Sequence, residues 1–290
     1  MKPAPFSYLC PNSVDEAIAL LHDHGEDAKP IAGGQTLVPV LNFRLNRFKY
    51  LIDIGRLDEL AGLGVDGDVL VIGAVTTYRR IETSPLVKVH VPLLAHATKF
   101  VAHLPIRTRG TIGGSIANFD PSAEYPAVLL ALDATIIVRG YGGMREIHAD
   151  EFFLGLFTTA LEPGELVTEI RIPCVSKNNV FGFQEFTKRP GDLALIGVVA
   201  SLERNDDVVS AARIAAFGGA DGATRMRAVE DALIGRPIDV EVIQAASLHA
   251  RGIALQTDLQ ATAEMRAHLA TVLTARALRQ ALLGAEEQAA

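Results

Sequence analysis

The chain has 290 residues, 49% of them hydrophobic, and a formal net charge of −7 at pH 7. It is therefore long and apolar enough to bury a core and to form two domains of ordinary size. Its acidic balance, without a cluster of Lys and Arg, argues against a nucleic-acid partner. No apolar run approaches the roughly 20 residues that span a bilayer. Because the first residues also lack a signal-peptide pattern, we expect a cytoplasmic protein.

The first elements predicted from the sequence alternate between strands and helices. Ser13 and Glu16 form a capping box, which predicts a helix that ends at Gly25. The patterns then predict, in chain order, a strand at 29–31, a helix at 37–45, strands at 49–54 and 69–72, a helix at 92–102, an irregular segment at 104–110 and a helix that begins near Pro121 or Ser122. Glycine-rich segments at 32–36 and 111–115 are each expected to be loops that precede a helix.

The pattern changes after Pro173, where a break between domains is expected. Strands at 135–139 and 166–172 precede this break. Beyond it we predict three strands, at 183–188, 193–202 and 208–217, followed by three helices, at 226–233, 240–250 and 263–283. Strands followed by helices are typical of an α+β domain. We therefore divide the chain into domains at residues 1–175 and 176–290.

Cysteine and histidine usage limits the metal chemistry of the chain. Cys10 and Cys174 are its only cysteines, which excludes an all-cysteine iron-sulfur cluster or a four-cysteine zinc site within it. The eight histidines follow no metal-binding spacing. We expect no metal site in this chain, so any redox metal must lie in another one.

The two glycine-rich segments share a pattern of paired glycines followed by a small or amide polar residue. They read Ala32-Gly33-Gly34-Gln35-Thr36 and Thr111-Ile112-Gly113-Gly114-Ser115. Glycine lets consecutive N–H groups approach phosphate oxygens. One such pair is as readily a tight turn, but two predict a phosphate-rich ligand held from two sides. Neither matches the Rossmann or Walker A pattern. Because phosphate contacts alone only offset the cost of association, the ligand should also bury large rings, as flavin adenine dinucleotide (FAD) does.

At this point the sequence resembles a known family. Residues 30–37 with Arg44 and Leu45, together with residues 111–127, resemble the medium, FAD-binding subunit of the molybdenum hydroxylases. That family includes aerobic carbon monoxide dehydrogenase, xanthine dehydrogenase and N-heterocycle dehydrogenases. Residues 182–194 and 218–235 resemble its later motifs, so the likeness spans nearly the whole chain. It implies an α+β fold, with a PCMH-type FAD-binding domain at 1–175. A small domain of the carbon monoxide dehydrogenase flavoprotein C-terminal type, an antiparallel sheet plus helices, would follow at 176–290.

The resemblance also implies a set of residues that bind FAD without a covalent bond. The two glycine-rich segments would hold the diphosphate and ribityl chain, and Glu124 would accept ribose hydroxyls. Val101 would lie near the adenine, with Leu166 or Val167 lining the same pocket, and Lys188 would lie near the flavin. The full set is Ala32, Gly33, Gly34, Gln35, Thr36, Leu37, Val101, Thr111, Gly113, Gly114, Ser115, Asn118, Asp120, Glu124, Leu166, Val167 and Lys188.

Several of these residues have a structural interpretation of equal standing. Glu124 can serve a helix dipole instead of a ribose. Asn118 and Asp120 can cap a helix, and Lys188 can be a solvated turn residue. Two positions depart from the family pattern: Leu193 lies where some relatives carry an aromatic residue over the flavin, and Arg225 lies where proline is common. We expect the change at Arg225 to affect only a loop.

The function implied by the resemblance is electron transfer within a complex. Substrate would be oxidised at a molybdenum cofactor in a large subunit, and electrons would pass through iron-sulfur clusters of a small subunit to the FAD of this chain. An external acceptor would then take them, with no catalytic side chain in this subunit and a dimer of heterotrimers as the assembly. The alternatives are an autonomous PCMH-type FAD oxidase and a cofactor-free assembly subunit.

Overall fold

The structure is a computed structural model that describes residues 2–206 and 208–289. Its N-terminal part runs to β10 and contains ten strands and nine helices among the described residues. In chain order these are β1 Ser7–Leu9, α1 Val14–His24, β2 Ala28–Ile31, α2 Leu37–Asn42, β3 Tyr50–Asp53, β4 Leu63–Asp66, β5 Val69–Gly73, α3 Tyr78–Thr83, α4 Pro85–His90, α5 Pro92–Ala97, α6 Leu104–Arg107, α7 Ile112–Asn118, α8 Glu124–Ala131, β6 Thr135–Gly140, β7 Gly143–His148, α9 Ala149–Phe152, β8 Phe153–Gly155, β9 Thr158–Thr159 and β10 Leu166–Pro173.

The C-terminal part has the order of elements that the sequence predicts, strands first and helices after them. It consists of β11 Asn179–Phe186, β12 Ile196–Asn205, β13 Val208–Phe217, β14 Thr224–Arg225, α10 Arg227–Leu233, α11 Val240–Leu248 and α12 Ala263–Ala289. The four strands form an antiparallel sheet in this order. The helix α12 packs closely on it, because a Cβ at Gly182 would lie only 1.9 Å from the carbonyl oxygen of Ala277. The α+β fold predicted from the sequence is confirmed.

Two sheets build the N-terminal part. A small parallel sheet has the order β1-β3-β2, and α1 packs on β2 and β3. A larger antiparallel sheet has the order β4-β5-β10-β6-β7. The predicted helix is confirmed with Ser13 as its N-cap, since the Ser13 hydroxyl accepts from the N–H of Glu16 at 3.1 Å and α1 ends at Gly25 with a φ of 52°. The Glu16 carboxylate accepts from the N–H of Asn12 at 2.7 Å, so the reciprocal bond of a capping box is made one residue earlier than predicted. In the described part of the chain, none of the helices has the length and apolar character to cross a bilayer.

Helix boundaries differ from the prediction where the chain enters left-handed backbone. The helix predicted at 37–45 ends at Asn42, and Arg44 has a φ of 58°. The helix predicted at 92–102 ends at Ala97, with a φ of 44° at Ala102. The prediction that residues 111–115 form a loop is wrong. They begin the helix α7, because the Thr111 hydroxyl accepts from the N–H of Gly114 at 3.2 Å as an N-cap.

The two parts share one hydrophobic core, in which α8 lies fully buried. All eight residues of α8 are buried, and the helix packs on β12, β13 and β14. Phe183, Val199, Ala215 and Phe217 of the C-terminal sheet join the same core as α8. Since a helix that is apolar on all sides requires cover on all sides, α8 fixes the C-terminal sheet against the N-terminal part.

An ion-pair network adds a polar contact between the two parts. The Arg225 side chain is only 7% exposed and bonds both carboxylate oxygens of Glu230, at 2.6 and 2.8 Å. It also reaches Asp150 of α9 at 3.4 Å, and the Glu230 carboxylate accepts the N–H of Ile214 at 2.7 Å. The expectation that Arg225 affects only a loop is therefore wrong.

Replacing Arg225 with alanine should lower the free energy of unfolding by about 3 kcal/mol, because it removes both short bonds to the buried Glu230 carboxylate and leaves it only the exposed Arg227, at 3.7 Å. Urea unfolding of the cofactor-free protein measures this change. Arg227 is the matched control, since it contacts the same Asp150 carboxylate from a side chain that is 61% exposed. Arg227→Ala should cost less than about 1 kcal/mol. Equal losses in the two variants would contradict the assignment.

Candidate cofactor site

The two glycine-rich segments lie directly against each other. A Cβ at Gly33 would lie 2.1 Å from the carbonyl oxygen of Arg109 and 2.9 Å from the Cα of Gly110. Only glycine permits this approach of two backbones. On its other side, Gly110 packs on the Tyr78 ring, which a Cβ would approach to 2.5 Å. The first glycine-rich segment thus packs on the two residues that directly precede the second one, although the two segments are far apart in the sequence.

The first segment presents free backbone donors to a cavity. Gly34 has a φ of 70°, and the Gln35 side-chain amide donates back to the carbonyl of Gly33 at 3.0 Å. Among the described residues, the N–H groups at 33–36 have no hydrogen-bond acceptor. Residues 32–35 of the segment, together with Val38 and Pro39 of α2, line a cavity of about 540 Å³. Adjacent unpaired N–H groups in a concave surface are suited to binding an anion.

Arg109 supplies positive charge to the same cavity. Its guanidinium has no carboxylate partner in the described part of the chain, whereas Arg56, which also lines the cavity, lies 3.4 Å from Asp53. Asp53 also accepts from the Tyr8 hydroxyl at 2.5 Å, a bond that raises the pKa of Tyr8 to about 12. Arg109 is thus the cation in the cavity lining that is available to a ligand. The sequence analysis missed Arg109, although a cation directly before the second glycine-rich segment indicates a role in binding an anion.

The second segment uses its N–H groups within the protein. Ile112 donates to the carbonyl of Thr76 at 3.1 Å, and Gly113 donates to that of Ala74 at 2.8 Å. Gly114 and Ser115 both donate to Thr111, at 3.2 and 3.0 Å. A Cβ at Gly113 would lie 2.7 Å from the oxygen of Ala74. The similar sequences therefore have different roles: the first segment leaves donors free, and the second is fixed to the sheet.

Tyr78 is a further residue that the sequence analysis missed, and it fixes the second segment in place. Its ring supports Gly110 and packs edge-on against Tyr125 at 5.1 Å between centroids. Its hydroxyl bonds Ser115, but burial is the stronger influence and raises the pKa of Tyr78 to about 12. Tyr125 in turn shares a hydrogen bond of 2.8 Å with Thr98. These contacts hold the Tyr78 ring in place, and its hydroxyl orients Ser115.

Glu124 begins α8 and is almost entirely buried, with 8% of its surface exposed. No cation pairs with it among the described residues, and its hydrogen bonding is limited to its own N–H. Burial raises the pKa of Glu124 to about 7, and the nearby Asp120 also raises it. A buried carboxyl with lone pairs to spare is suited to accept hydroxyl groups of a ligand.

The apolar residues predicted for the adenine pocket are separated by the sheet. Val101 and Val167 are both buried in the core around α8. Leu166 instead packs with Ile52, Ile54 and Leu60 in the core beneath α1. Neighbouring residues of a strand point to opposite faces. Val167 can therefore share a pocket with Val101, and Leu166 cannot.

The remaining predicted residues lie outside the lining of the cavity. Thr36 is exposed, Leu37 is half-buried at the start of α2, and Asn118 is half-buried at the end of α7. The Asp120 carboxylate accepts the N–H of Ser122 at 2.9 Å, which agrees with its interpretation as a turn residue. Lys188 is exposed in the turn after β11, and Leu193 is 60% exposed. The described residues include no group of His, Cys, Asp and Glu arranged to hold a metal ion.

Comparisons with known proteins cover nearly the whole chain. Residues 4–175 match the family described as the FAD binding domain in molybdopterin dehydrogenase, and residues 181–281 match the CO dehydrogenase flavoprotein C-terminal domain. The chain is 38% identical over 283 residues to the beta subunit of caffeine dehydrogenase from Pseudomonas sp. strain CBB1, covering 97% of this chain and 96% of the relative. It is 37% identical to the carbon monoxide dehydrogenase medium chain of Hydrogenophaga pseudoflava, with coverage of 97% and 98%.

Solved structures have the same fold. A chain of carbon monoxide dehydrogenase from Hydrogenophaga pseudoflava superimposes with a TM-score of 0.95 at 38% identity, covering 98% of this chain and 99% of the other. Quinoline 2-oxidoreductase from Pseudomonas putida 86 gives a TM-score of 0.93 at 35% identity, with coverage of 98% and 99%. The likeness therefore extends through both parts of the chain and their relative placement.

The raised pKa of Glu124 predicts how Glu124→Gln changes stability with pH. Since the folded-state pKa of about 7 lies above the ordinary value of 4.5, the buried carboxyl costs stability progressively as pH rises from 4.5 to 7. Glutamine carries no such cost. The gain in unfolding free energy from Glu124→Gln should therefore be about 2–3 kcal/mol larger at pH 8 than at pH 5.

Urea unfolding of the cofactor-free proteins at both pH values measures this difference. Glu151→Gln serves as the control, because Glu151 is an exposed carboxylate of the same N-terminal part. A pH-independent difference between wild type and Glu124→Gln would show that the carboxyl is solvated in the folded protein.

Proposed function

Because this chain belongs to the FAD-binding medium subunits of the molybdenum hydroxylases, we propose that it passes electrons from a partner subunit to an external acceptor. The chain is the flavoprotein subunit of a multi-subunit oxidoreductase, and partner subunits of such complexes carry the molybdenum cofactor and the iron-sulfur clusters. The delivery of electrons to an external acceptor is the step we propose. The observation that carries it is the row of free N–H groups at 33–36 facing a cavity with an available arginine.

The residues present fit FAD. Its diphosphate requires hydrogen-bond donors and positive charge, which residues 33–36 and Arg109 provide. Bound FAD supplies the redox chemistry, since its ring system can exchange electrons singly or in pairs. The protein provides position, exclusion of water and electrostatic surroundings, so no side chain in this subunit needs a catalytic role.

We assign the remaining predicted residues by their surroundings. Ala32, Gly33, Gly34 and Gln35 line the cavity and form the diphosphate wall, which Thr36 and Leu37 continue toward α2. We assign Thr111, Gly113, Gly114 and Ser115 to a second wall, which lies outside the lining of this cavity and is held by the sheet. Glu124 accepts ribose hydroxyls. Val101 and Val167 supply apolar surface. Asn118 and Asp120 shape the turn between α7 and α8, and Lys188 lies at the outer edge toward the flavin.

An exposed apolar surface continues outward from the cavity, and we propose it as the docking site of the iron-sulfur subunit. Val38 lines the cavity and is 43% exposed, while Phe43 and Leu45 just beyond α2 are 63% and 73% exposed. Exposed apolar groups of this size mark protein interfaces. A partner docked here would bring its clusters next to the cofactor cavity, which electron transfer requires.

The assembly and location complete the proposal. We propose a dimer of heterotrimers in the cytoplasm, each heterotrimer containing a large molybdenum subunit, a small iron-sulfur subunit and this chain. We also keep the division into domains at 175/176, which falls between β10 and β11.

Native mass spectrometry and a visible absorption spectrum of the protein purified from its own cells test this function. Co-isolated large and small subunits, with flavin and iron-sulfur bands, are expected. Mixing with an electron acceptor should then reoxidise the substrate-reduced flavin. A lone yellow chain that its substrate reduces directly would instead establish an autonomous oxidase, and a colourless chain would establish an assembly subunit.

Gly33→Ala should abolish FAD retention, because its methyl group would lie 2.1 Å from the Arg109 oxygen and force the two glycine-rich segments apart. The ratio of flavin to protein absorbance after purification measures retention, and circular dichroism monitors the fold. Gly62→Ala is the control, since nothing lies within 4 Å of a Cβ at that glycine. Full flavin occupancy in Gly33→Ala would refute the assignment.

Arg109→Ala should weaken FAD binding by roughly tenfold or more, the usual cost of losing a charge-assisted hydrogen bond. The loss should shrink as ionic strength rises, because salt screens the attraction between guanidinium and phosphate. Fluorescence titration of the cofactor-free protein with FAD at low and high salt measures both effects. Arg251→Ala, a change of an exposed arginine in the C-terminal part, should leave the affinity unchanged.

A further inference from the structure

One carboxyl group interrupts the apolar face that the C-terminal sheet turns toward α8. Glu185 of β11 pairs across the sheet with Gly197, which in turn pairs with Phe217. Residues directly opposite one another in an antiparallel sheet point to the same face. Glu185 therefore points to the same side as Phe217, and its strand neighbour Phe183, two residues earlier, lies in the shared core.

The Glu185 carboxyl has no partner among residues 2–206 and 208–289. Its Oε2 atom is buried without any hydrogen bond, and neither oxygen pairs with a cation among the described residues. Burial raises the pKa of Glu185 to about 8, and the charge of Glu124 opposes its ionisation as well. A buried carboxyl without partners costs folding free energy. The packing of the protein alone therefore gives no reason for a glutamate at this position.

The place of Glu185 in the fold relates it to the cofactor site. It lies on the face of the sheet that packs on α8, and the Phe217 ring lies over its cross-strand neighbour Gly197, where a Cβ would be 2.1 Å from that ring. The residue after Phe217 is anchored to the segment that leads into α8, since the N–H of Gly218 donates to the carbonyl of Pro121 at 2.9 Å. Gly222 packs on the Phe119 ring in the same region. The buried Glu124 and the half-buried Glu185, whose Oε2 atom is buried, thus lie on the two sides of the contact between α8 and the C-terminal sheet.

We propose that Glu185 is a cofactor-contacting residue, contributed by the C-terminal part, whose carboxyl bonds hydroxyl or N–H groups of FAD. The inference rests on FAD binding at the proposed site. The two carboxyls and the diphosphate wall then suit different groups of one ligand. Donors and positive charge meet the central diphosphate, and the carboxyls meet the hydroxyl and N–H groups on either side of it. FAD binding therefore ties the two parts of the chain together.

Glu185→Met tests the proposal, because methionine has a similar volume and no hydrogen-bonding head. The dissociation constant for FAD should rise about tenfold or more, the usual cost of losing a charged hydrogen bond. Urea unfolding of the cofactor-free variant should occur at the same or a higher midpoint than in wild type, because an unpartnered buried carboxyl has been removed. Glu185→Gln, which keeps an acceptor and a donor, should restore most of the affinity.

The controls separate this inference from the assignment of the site. Glu203→Met changes an exposed glutamate of the neighbouring strand β12 and should leave both FAD affinity and stability unchanged. If Gly33→Ala loses FAD while Glu185→Met binds it within twofold of wild type, the role of Glu185 is overturned and the site stands. A lower unfolding midpoint in cofactor-free Glu185→Met would also overturn the proposal, since it would make Glu185 a structural residue.

Discussion

The cofactor site depends on the contact between two backbones at Gly33 and Arg109. Because any side chain at position 33 would occupy the space of the Arg109 carbonyl, this contact fixes the distance between the two glycine-rich segments. It also orients Arg109, which lies between Gly33 and the N-cap Thr111, beside the free N–H groups. The contact at Gly33 thus brings together the free N–H groups, Arg109 and the second glycine-rich segment. The hydrogen bonds of Ile112 and Gly113 to the carbonyls of Thr76 and Ala74, just after β5, then transmit the rigidity of the large sheet to the site.

The buried helix α8 relates this site to the rest of the chain. Its first residue is Glu124 and its second is Tyr125, which packs on Tyr78. The placement of α8 therefore sets the position of both the Glu124 carboxyl and the ring that supports Tyr78. Its other residues form the core against the C-terminal sheet. A shift of that sheet would therefore move α8 and the acidic end of the site together. The ion pair between Arg225 and Glu230, with its reach to Asp150, opposes such a shift from the outer side.

Sequence patterns correctly predicted the features that depend on residues close together in the chain. The N-cap at Ser13, the order of strands and helices after Pro173 and the α+β class needed no knowledge of distant contacts. The helix at residues 112–118 could not be predicted in this way, because two adjacent glycines disfavour a helix and contacts to residues 74–76 override that preference. The paired glycines correctly indicated which segments meet. They could not indicate that only the first leaves its N–H groups free, since that depends on what the second segment contacts.

The register of strands set a second limit on prediction from sequence. A bulge between Val167 and Glu169 changes the pairing of β10 with β6, and the face on which Leu166 lies depends on the sheet as a whole. Glu185 was missed for the same reason, because an alternating strand does not reveal which face meets another part of the chain. The side chains that sequence patterns missed, Arg109, Tyr78 and Glu185, all owe their place in the site to contacts between distant segments.

Groups that lack partners are concentrated where the cofactor is proposed to bind. Free N–H donors, an available guanidinium and two buried carboxyls each carry a cost in the cofactor-free chain, and each has a complementary group on FAD. Because a ligand that binds only the folded state stabilises it, FAD should raise the stability of this chain in proportion to those costs. The donors lie in the N-terminal part and Glu185 lies in the C-terminal part, so the same ligand satisfies both. Cofactor binding and the packing of the two parts on each other are then thermodynamically coupled, because FAD favours the folded arrangement in which both contact it.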